Sequence, residues 1–95
     1  MAGISKTVVS LHPGKMEEVT KYIDSQAGLV TELEGMVGFA VAVTGEDEIT
    51  IIGVYESSKD AKAASETVQK VFAGAASFMS APPERGVYSG AWFSS

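Results

Sequence analysis

VGFAVAVTGEDEITIIGVYE, residues Val37–Glu56, holds two alternating apolar runs joined by a short acidic connection. Successive side chains of a strand point to opposite faces. In Val37–Thr44, Phe39, Val41 and Val43 therefore share one face, and Ala40, Ala42 and Thr44 share the other. In Ile49–Glu56, Ile49, Ile51, Gly53 and Tyr55 oppose Thr50, Ile52 and Val54. Gly45-Glu46-Asp47-Glu48 between the runs suits a hairpin connection. Large apolar groups on both faces of the second run predict a strand covered on both sides.

A helical pattern flanks this pair on each side. From Lys15 to about Glu34, Met16, Val19, Ile23, Ala27 and Val30 recur at spacings of three and four, which makes one apolar stripe. Gly28 weakens the interior of this helix and marks a kink, a break or a close approach. Gly35 is placed to stop it. After the hairpin, Ser57 or Ser58 can cap a second helix, with Asp60 in its first turn. Its stripe runs through Ala61, Ala64, Val68, Val71, Phe72, Ala75, Phe78 and Met79. Pro82-Pro83 ends it by Ala81. Two outer strands complete the order, one from Ile4 to His12 and one from Val87 to Ser94. His12-Pro13-Gly14 terminates the first, because proline cannot donate to a ladder and glycine permits the turn.

The resulting β-α-β-β-α-β order is that of a ferredoxin-like α+β fold with a four-stranded antiparallel sheet, and residues 1–95 make one domain. Two helices cover one sheet face and leave the other bare. The alternating sets put Ile, Val, Phe or Trp on either face, and periodicity alone leaves open which face is inward. An uncovered apolar face of this size predicts a partner. A second copy packed face to face by two-fold symmetry supplies one, so a homodimer is expected.

Composition narrows the function classes. The net charge is −5, and the seven Lys and Arg residues are scattered, which argues against a nucleic-acid partner. There is no cysteine, so disulfides and thiolate metal sites are excluded, in keeping with a cytoplasmic protein. No basic region followed by an apolar run suggests a secretory signal. No stretch approaches the ~18 apolar residues of a membrane span. One histidine without clustered acids offers too few ligands for a metal.

Four short motifs stand in a recognisable order: His12-Pro13-Gly14-Lys15 entering a helix, Glu34-Gly35-Met36-Val37-Gly38-Phe39 entering a strand, Val54-Tyr55-Glu56-Ser57 ending one, and Pro82-Pro83-Glu84-Arg85 before the last. In order and spacing they resemble the antibiotic biosynthesis monooxygenase-like family of dimeric α+β barrels, over nearly the whole chain. The resemblance implies a ligand cavity between helices and sheet in each subunit. It also implies a small aromatic, quinol-type substrate that reduces oxygen itself, with no cofactor. The family includes haem-degrading enzymes and many proteins of unknown role. Its oxygenases and haem degraders carry an Asn on the first strand, and this chain has no Asn. Their third-strand Trp is matched by Tyr55, and the second helix lacks the histidine of the haem degraders. These departures count against haem degradation. They leave a non-catalytic, ligand-binding or stress-related homodimer as the alternative to a monooxygenase.

On this reading His12 is the candidate proton acceptor, against a solvated histidine at a strand end. Tyr55 is the candidate polar orienter, against an aromatic half-buried at a strand end. Trp92 stacks on a flat ligand or packs in the core or interface. Tyr22, Phe72 and Phe78, with Met79, line a pocket or simply form the helical core stripe. Arg85 anchors a ligand carboxylate or makes a surface ion pair. Glu46-Asp47-Glu48 binds a cation or is a solvated hairpin tip, and the tip is the simpler reading.

Overall fold

The central hairpin forms as the alternation predicts. In the computed structural model, which describes all of Met1–Ser95, β2 (Met36–Gly45) and β3 (Glu48–Tyr55) pair antiparallel around a tip of Glu46 and Asp47. β1 (Ala2–Ser10) pairs with β3 on one side and with β4 (Glu84–Gly90) on the other, both antiparallel. The strand order is β2-β3-β1-β4. The helices are α1 (Met16–Thr31), α2 (Ser58–Ala63) and α3 (Ser65–Ala73), followed by a 3-10 turn over Ala76–Phe78.

Burial now settles which sheet face is inward. Gly3, Ser5, Thr7, Val9 and Leu11 are all buried, whereas Ile4, Lys6 and Val8 between them are half-buried or exposed. The inward face is thus built from cross-strand rows: Val43–Ile49–Val9, Val41–Ile51–Thr7–Arg85, Phe39–Gly53–Ser5–Val87 and Met36–Tyr55–Gly3–Ser89. The outward face carries Ala40–Ile52–Lys6–Gly86 and Gly38–Val54–Ile4–Tyr88. No element of the chain lies over those outward rows.

Several boundaries differ from the sequence reading. The first strand runs over Ala2–Ser10 rather than Ile4–His12, with Leu11 making only an isolated bridge to Met79. The last strand runs over Glu84–Gly90 rather than Val87–Ser94. Its ladder pairs Val8 with Glu84 and Ala2 with Gly90, so β1 has nothing left to offer Ala91–Ser95. The second helix is not continuous to Ala81. Its first interruption, at Ala64, falls where Arg85 Nη2 donates to the Ala61 carbonyl at 3.1 Å. Near its end Tyr22 Oη donates to the Val71 carbonyl at 2.6 Å. The end of that ring lies close to where a Cβ on Gly74 would stand, so a side chain there would displace it. Finally, α1 ends at Thr31, and Gly35 turns the chain into β2 with φ +77°.

Gly28 neither kinks α1 nor admits a neighbour: the helix runs through it, and nothing lies within 4 Å of where its Cβ would stand. Gly28→Ala should therefore stabilise the protein by up to about 1 kcal/mol. In a domain of this size that raises the thermal midpoint by roughly 4–8 °C per kcal/mol. Calorimetry checks it; an unchanged or lower midpoint would show that α1 is interrupted in solution.

Candidate ligand site between helices and sheet

The space under the helices is filled unevenly. One buried cluster joins Val9, Leu11, Val19 and Ile49, with Ile23, Ile51, Phe72 and Phe78 packed against it. A second joins Tyr55, Ala61 and Ala64, with Leu33, Met36, Val68 and Val87 around it. Between them the sheet floor recedes, because the central pair of one inward row is Gly53 and Ser5, two of the smallest residues available. A Cβ on Gly53 would come 2.5 Å from Ser5 Oγ. Above this floor lies a cavity of about 50 Å³, lined by residues of both clusters together with Ser5, Thr7, Gly53 and Arg85.

A second, larger space opens on the other side of α3. This groove, of about 790 Å³, runs between α3, the Met79–Pro83 segment and the start of β4. Val68, Phe72 and Arg85 line both spaces, so they form the wall between cavity and groove. Phe72 supplies an aromatic surface in that wall. Gln69, Ser65 and Ser80 add polar groups to an otherwise largely apolar groove.

Arg85 is the charged member of the site. It is half-buried, with Nη1 donating to Ser65 Oγ at 2.5 Å and Nη2 to the Ala61 carbonyl. The ion pairs of the chain are Lys15–Glu18, Lys21–Glu17 and Lys70–Glu66, all between neighbours on a helix surface. Arg85 therefore makes no surface ion pair, and its positive charge faces the site without a carboxylate to balance it. A guanidinium keeps several donors in a planar fork that matches carboxylate and related anions.

The structure brings together some of the residues singled out from the sequence and separates others. Tyr55 and Phe72 both line the cavity. Tyr55 is 1% exposed, far more enclosed than a half-buried strand end. Tyr22 and Phe78 meet edge to face, with ring centroids 6.4 Å apart, and Phe78 packs on the first cluster. Neither of them lines the cavity or the groove. His12 is exposed in the turn after β1, with its backbone N–H bonded to the Phe78 carbonyl at 2.9 Å. Trp92 stands beyond β4, 46% exposed. Neither His12 nor Trp92 is in the lining of either space. Ser5, Thr7 and Gly53 were not singled out. Their signal was present as a run of small residues at inward positions of two strands, where a sheet packed against helices normally carries large ones.

No group of three or more His, Cys, Asp or Glu side chains comes together as a metal site, and no helix is long and apolar enough to cross a membrane.

No protein-family model and no curated protein sequence matches the chain. Solved structures do. A Nitrosomonas europaea protein provisionally named an antibiotic biosynthesis monooxygenase superposes with a TM-score of 0.78 at 18% identity, over 94% of this chain and 89% of that one. A second Nitrosomonas europaea protein, of unknown function, gives 0.81 at 14% identity over 99% and 95%. SnoaB, a cofactor-independent oxygenase from Streptomyces nogalater, gives 0.77 at 10% identity over 97% and 95%. The β-α-β-β-α-β chain, with its helices on one face of a four-stranded antiparallel sheet, has the fold of the antibiotic biosynthesis monooxygenase-like proteins.

Proposed function

We propose that the groove binds a flat, largely apolar aromatic molecule carrying an acidic hydroxyl or carboxyl group, and that the protein is a monooxygenase-like enzyme acting without a cofactor. The observation that carries this reading is Arg85: a half-buried cation with no counter-ion, set beside Phe72 in the wall of an apolar groove of about 790 Å³. That volume lies within the roughly 300–1,000 Å³ of typical small-molecule sites. Phe72 stacks on the ring, and Arg85 holds its ionised oxygen. Selecting the anion matters chemically, because a phenolate or enolate gives up an electron to oxygen far more readily than the neutral form.

For an anthrone-type substrate the step balances without any other reactant. The CH₂ between two aryl rings becomes a carbonyl, losing four electrons. Dioxygen takes those four electrons, one oxygen atom entering the carbonyl and the other leaving as water with the two hydrogens. The protein's part is to bind the anion, orient it and keep water from the reacting carbon. His12 as proton acceptor, Tyr55 as orienter and Tyr22, Phe78 and Trp92 as apolar contacts are the roles expected from the sequence; Tyr55 lines only the adjoining cavity and the other four line neither space, so Arg85 and Phe72 carry the proposal. Oxygen uptake with anthrone is the test. Uptake is expected in the native protein and is expected to fall at least tenfold in Arg85→Met, on the roughly 1.5–3 kcal/mol of a hydrogen bond to a charged group. Native-level uptake in Arg85→Met, or in the double variant His12→Ala/Tyr55→Phe, would reject the corresponding roles.

A second reading is favoured by one specific observation: neither space is lined by a histidine, aspartate or glutamate. A lining without a base suits a dimer that binds such a molecule and does not transform it. Saturable binding of anthrone with no oxygen uptake would select this reading.

The same proposal includes a second copy on the outward sheet face. Only 13 of the 95 residues are buried, and the outward rows set Ile4, Ile52, Val54 and Tyr88 side by side with nothing above them. Face-to-face pairing removes this surface from water.

A further inference from the structure

We infer that the small cavity between the two core clusters is an internal hydration site, whose one or two waters fix Arg85 from its sheet side. That role rests on the anion-binding reading of the groove; the hydration itself does not. Three hydroxyls carry the inference. Ser5, Thr7 and Tyr55 are 5%, 2% and 1% exposed, and all three line the cavity. Ser5 lies opposite Gly53 in the sheet, and a Cβ on Gly53 would meet both Ser5 Oγ at 2.5 Å and the edge of the Tyr55 ring at 3.2 Å. The missing side chain at Gly53 thus opens a gap bordered by two of the hydroxyls. None of the three is bonded within the chain, yet no buried side-chain polar atom is sealed in without a partner. They therefore open onto the cavity.

Size and polarity decide the occupant. The cavity measures about 50 Å³, and one water claims about 30 Å³ of liquid. The space therefore takes one or two waters and no ring system. A buried water needs about two to four polar partners. The three hydroxyls supply them, together with the Gln26 amide and Arg85 in the same lining. A hydroxyl both donates and accepts, so both protons and both lone pairs of a water can be met. A buried hydroxyl left without a hydrogen bond is costly, and water removes that cost at all three positions.

Position gives the site its role. Thr7 and Arg85 are direct cross-strand partners in one inward row. On the helix side Arg85 is held by Ser65 Oγ and the Ala61 carbonyl. A guanidinium has five N–H donors, so those two bonds leave others free. Water bridging from Thr7, Ser5 and Tyr55 holds the group from the opposite side, and a bridged hydrogen bond is nearly as good as a direct one. The charged fork then meets a groove ligand already oriented, which lowers the ordering cost of binding. Val68 and Phe72, in the wall between the two spaces, keep this water out of the groove. Ser5, Thr7 and Tyr55 are positioning residues on this account, acting on an anion only through Arg85.

Oxygen-17 relaxation dispersion of water in a solution of the native protein tests the site, because it counts waters held longer than the protein takes to tumble. At least one such water per chain is expected. Ser5→Ala/Thr7→Val/Tyr55→Phe, which removes all three hydroxyls, is expected to lose it; Thr7→Val alone is expected to lower the count should the triple variant not fold. No long-lived water in the native protein, or an undiminished count in a folded variant, would overturn the inference. The positioning role is read with two probes of one shape, anionic 2-naphthoate and neutral 2-naphthamide. The variant is expected to bind 2-naphthoate about tenfold more weakly and to change 2-naphthamide binding by less than about twofold. Equal losses for both probes would overturn the positioning role, because a general distortion of the groove does not distinguish charge. If the long-lived water is present but native protein does not bind 2-naphthoate, the anion-binding reading fails while the hydration site stands.

Discussion

Tyr55→Ala should destabilise the domain by about 3–5 kcal/mol, the range for truncating a buried aromatic, while Tyr55→Phe should leave stability nearly unchanged. The ring is 1% exposed and is enclosed by Ala61, Ala64, Leu33, Met36, Val68 and Val87. Ala61 and Ala64 are buried in the same cluster, so truncation leaves a void that two alanines cannot fill. Net stabilities of small domains are only about 5–15 kcal/mol, so the alanine variant loses a large fraction of the total. Urea denaturation measures both variants. The pair also separates packing from chemistry. If the hydroxyl orients a ligand, Tyr55→Phe lowers oxygen uptake at an unchanged midpoint. A phenylalanine variant as unstable as the alanine one would show that the hydroxyl itself is structural.

Val54→Lys should convert the proposed dimer into monomers. Val54 sits in an outward row with Gly38, Ile4 and Tyr88, and Lys6 is in the adjoining row. Neither row contains an acid, and the apolar side chains around Val54 give the new ammonium no partner within its own row. An unpaired charge left in a buried interface costs about 3–5 kcal/mol. Two-fold symmetry places the substitution in the interface twice. At about 1.4 kcal/mol per decade, the dimer dissociation constant should rise by at least about 100-fold. The separated chain itself should change little in stability, because the lysine then faces water. Sedimentation equilibrium checks the prediction. An unchanged association constant would show that the outward face is not where copies meet, and a native protein already monomeric would remove the dimer altogether.

The alternation in Val37–Glu56 and the two helical stripes carried the architecture, because strand and helix periods are set by backbone geometry and survive whatever the tertiary contacts are. What periodicity could not show was the choice between two apolar faces. That choice is made by packing: Gly3 lies so close to Ser57 and Ser58 that a Cβ would strike their backbone, which brings α2 down on that side. The end of the last strand was misplaced for a similar reason. Val87–Ser94 alternates well as a sequence, but a ladder extends only as far as its partner, and β1 runs out at Ala2. The candidate site was legible in part. Tyr55 and Phe72 were found as large aromatics, yet the space beside them is made by the small residues Ser5 and Gly53, which are inconspicuous until the register sets them opposite each other. Arg85 was visible as a cation but not as an unpaired one, since that depends on which acids lie near it in space.

Ala2 pairs with Gly90 and Val8 with Glu84, while the other edge of β1 is taken by β3. The strand that lies near the centre of the finished sheet is thus synthesised before the other three, and one of its neighbours follows roughly eighty positions later on the ribosome. During that interval β1 has at most one partner, and its other row of N–H and C=O groups is open to any strand that meets it. The apolar side chains later enclosed by the helices are exposed over the same period. Folding of this chain is consequently governed by a long-range closure that local propensity cannot accelerate. A nascent chain held before Glu84 is therefore the form in which misassembly is most easily begun.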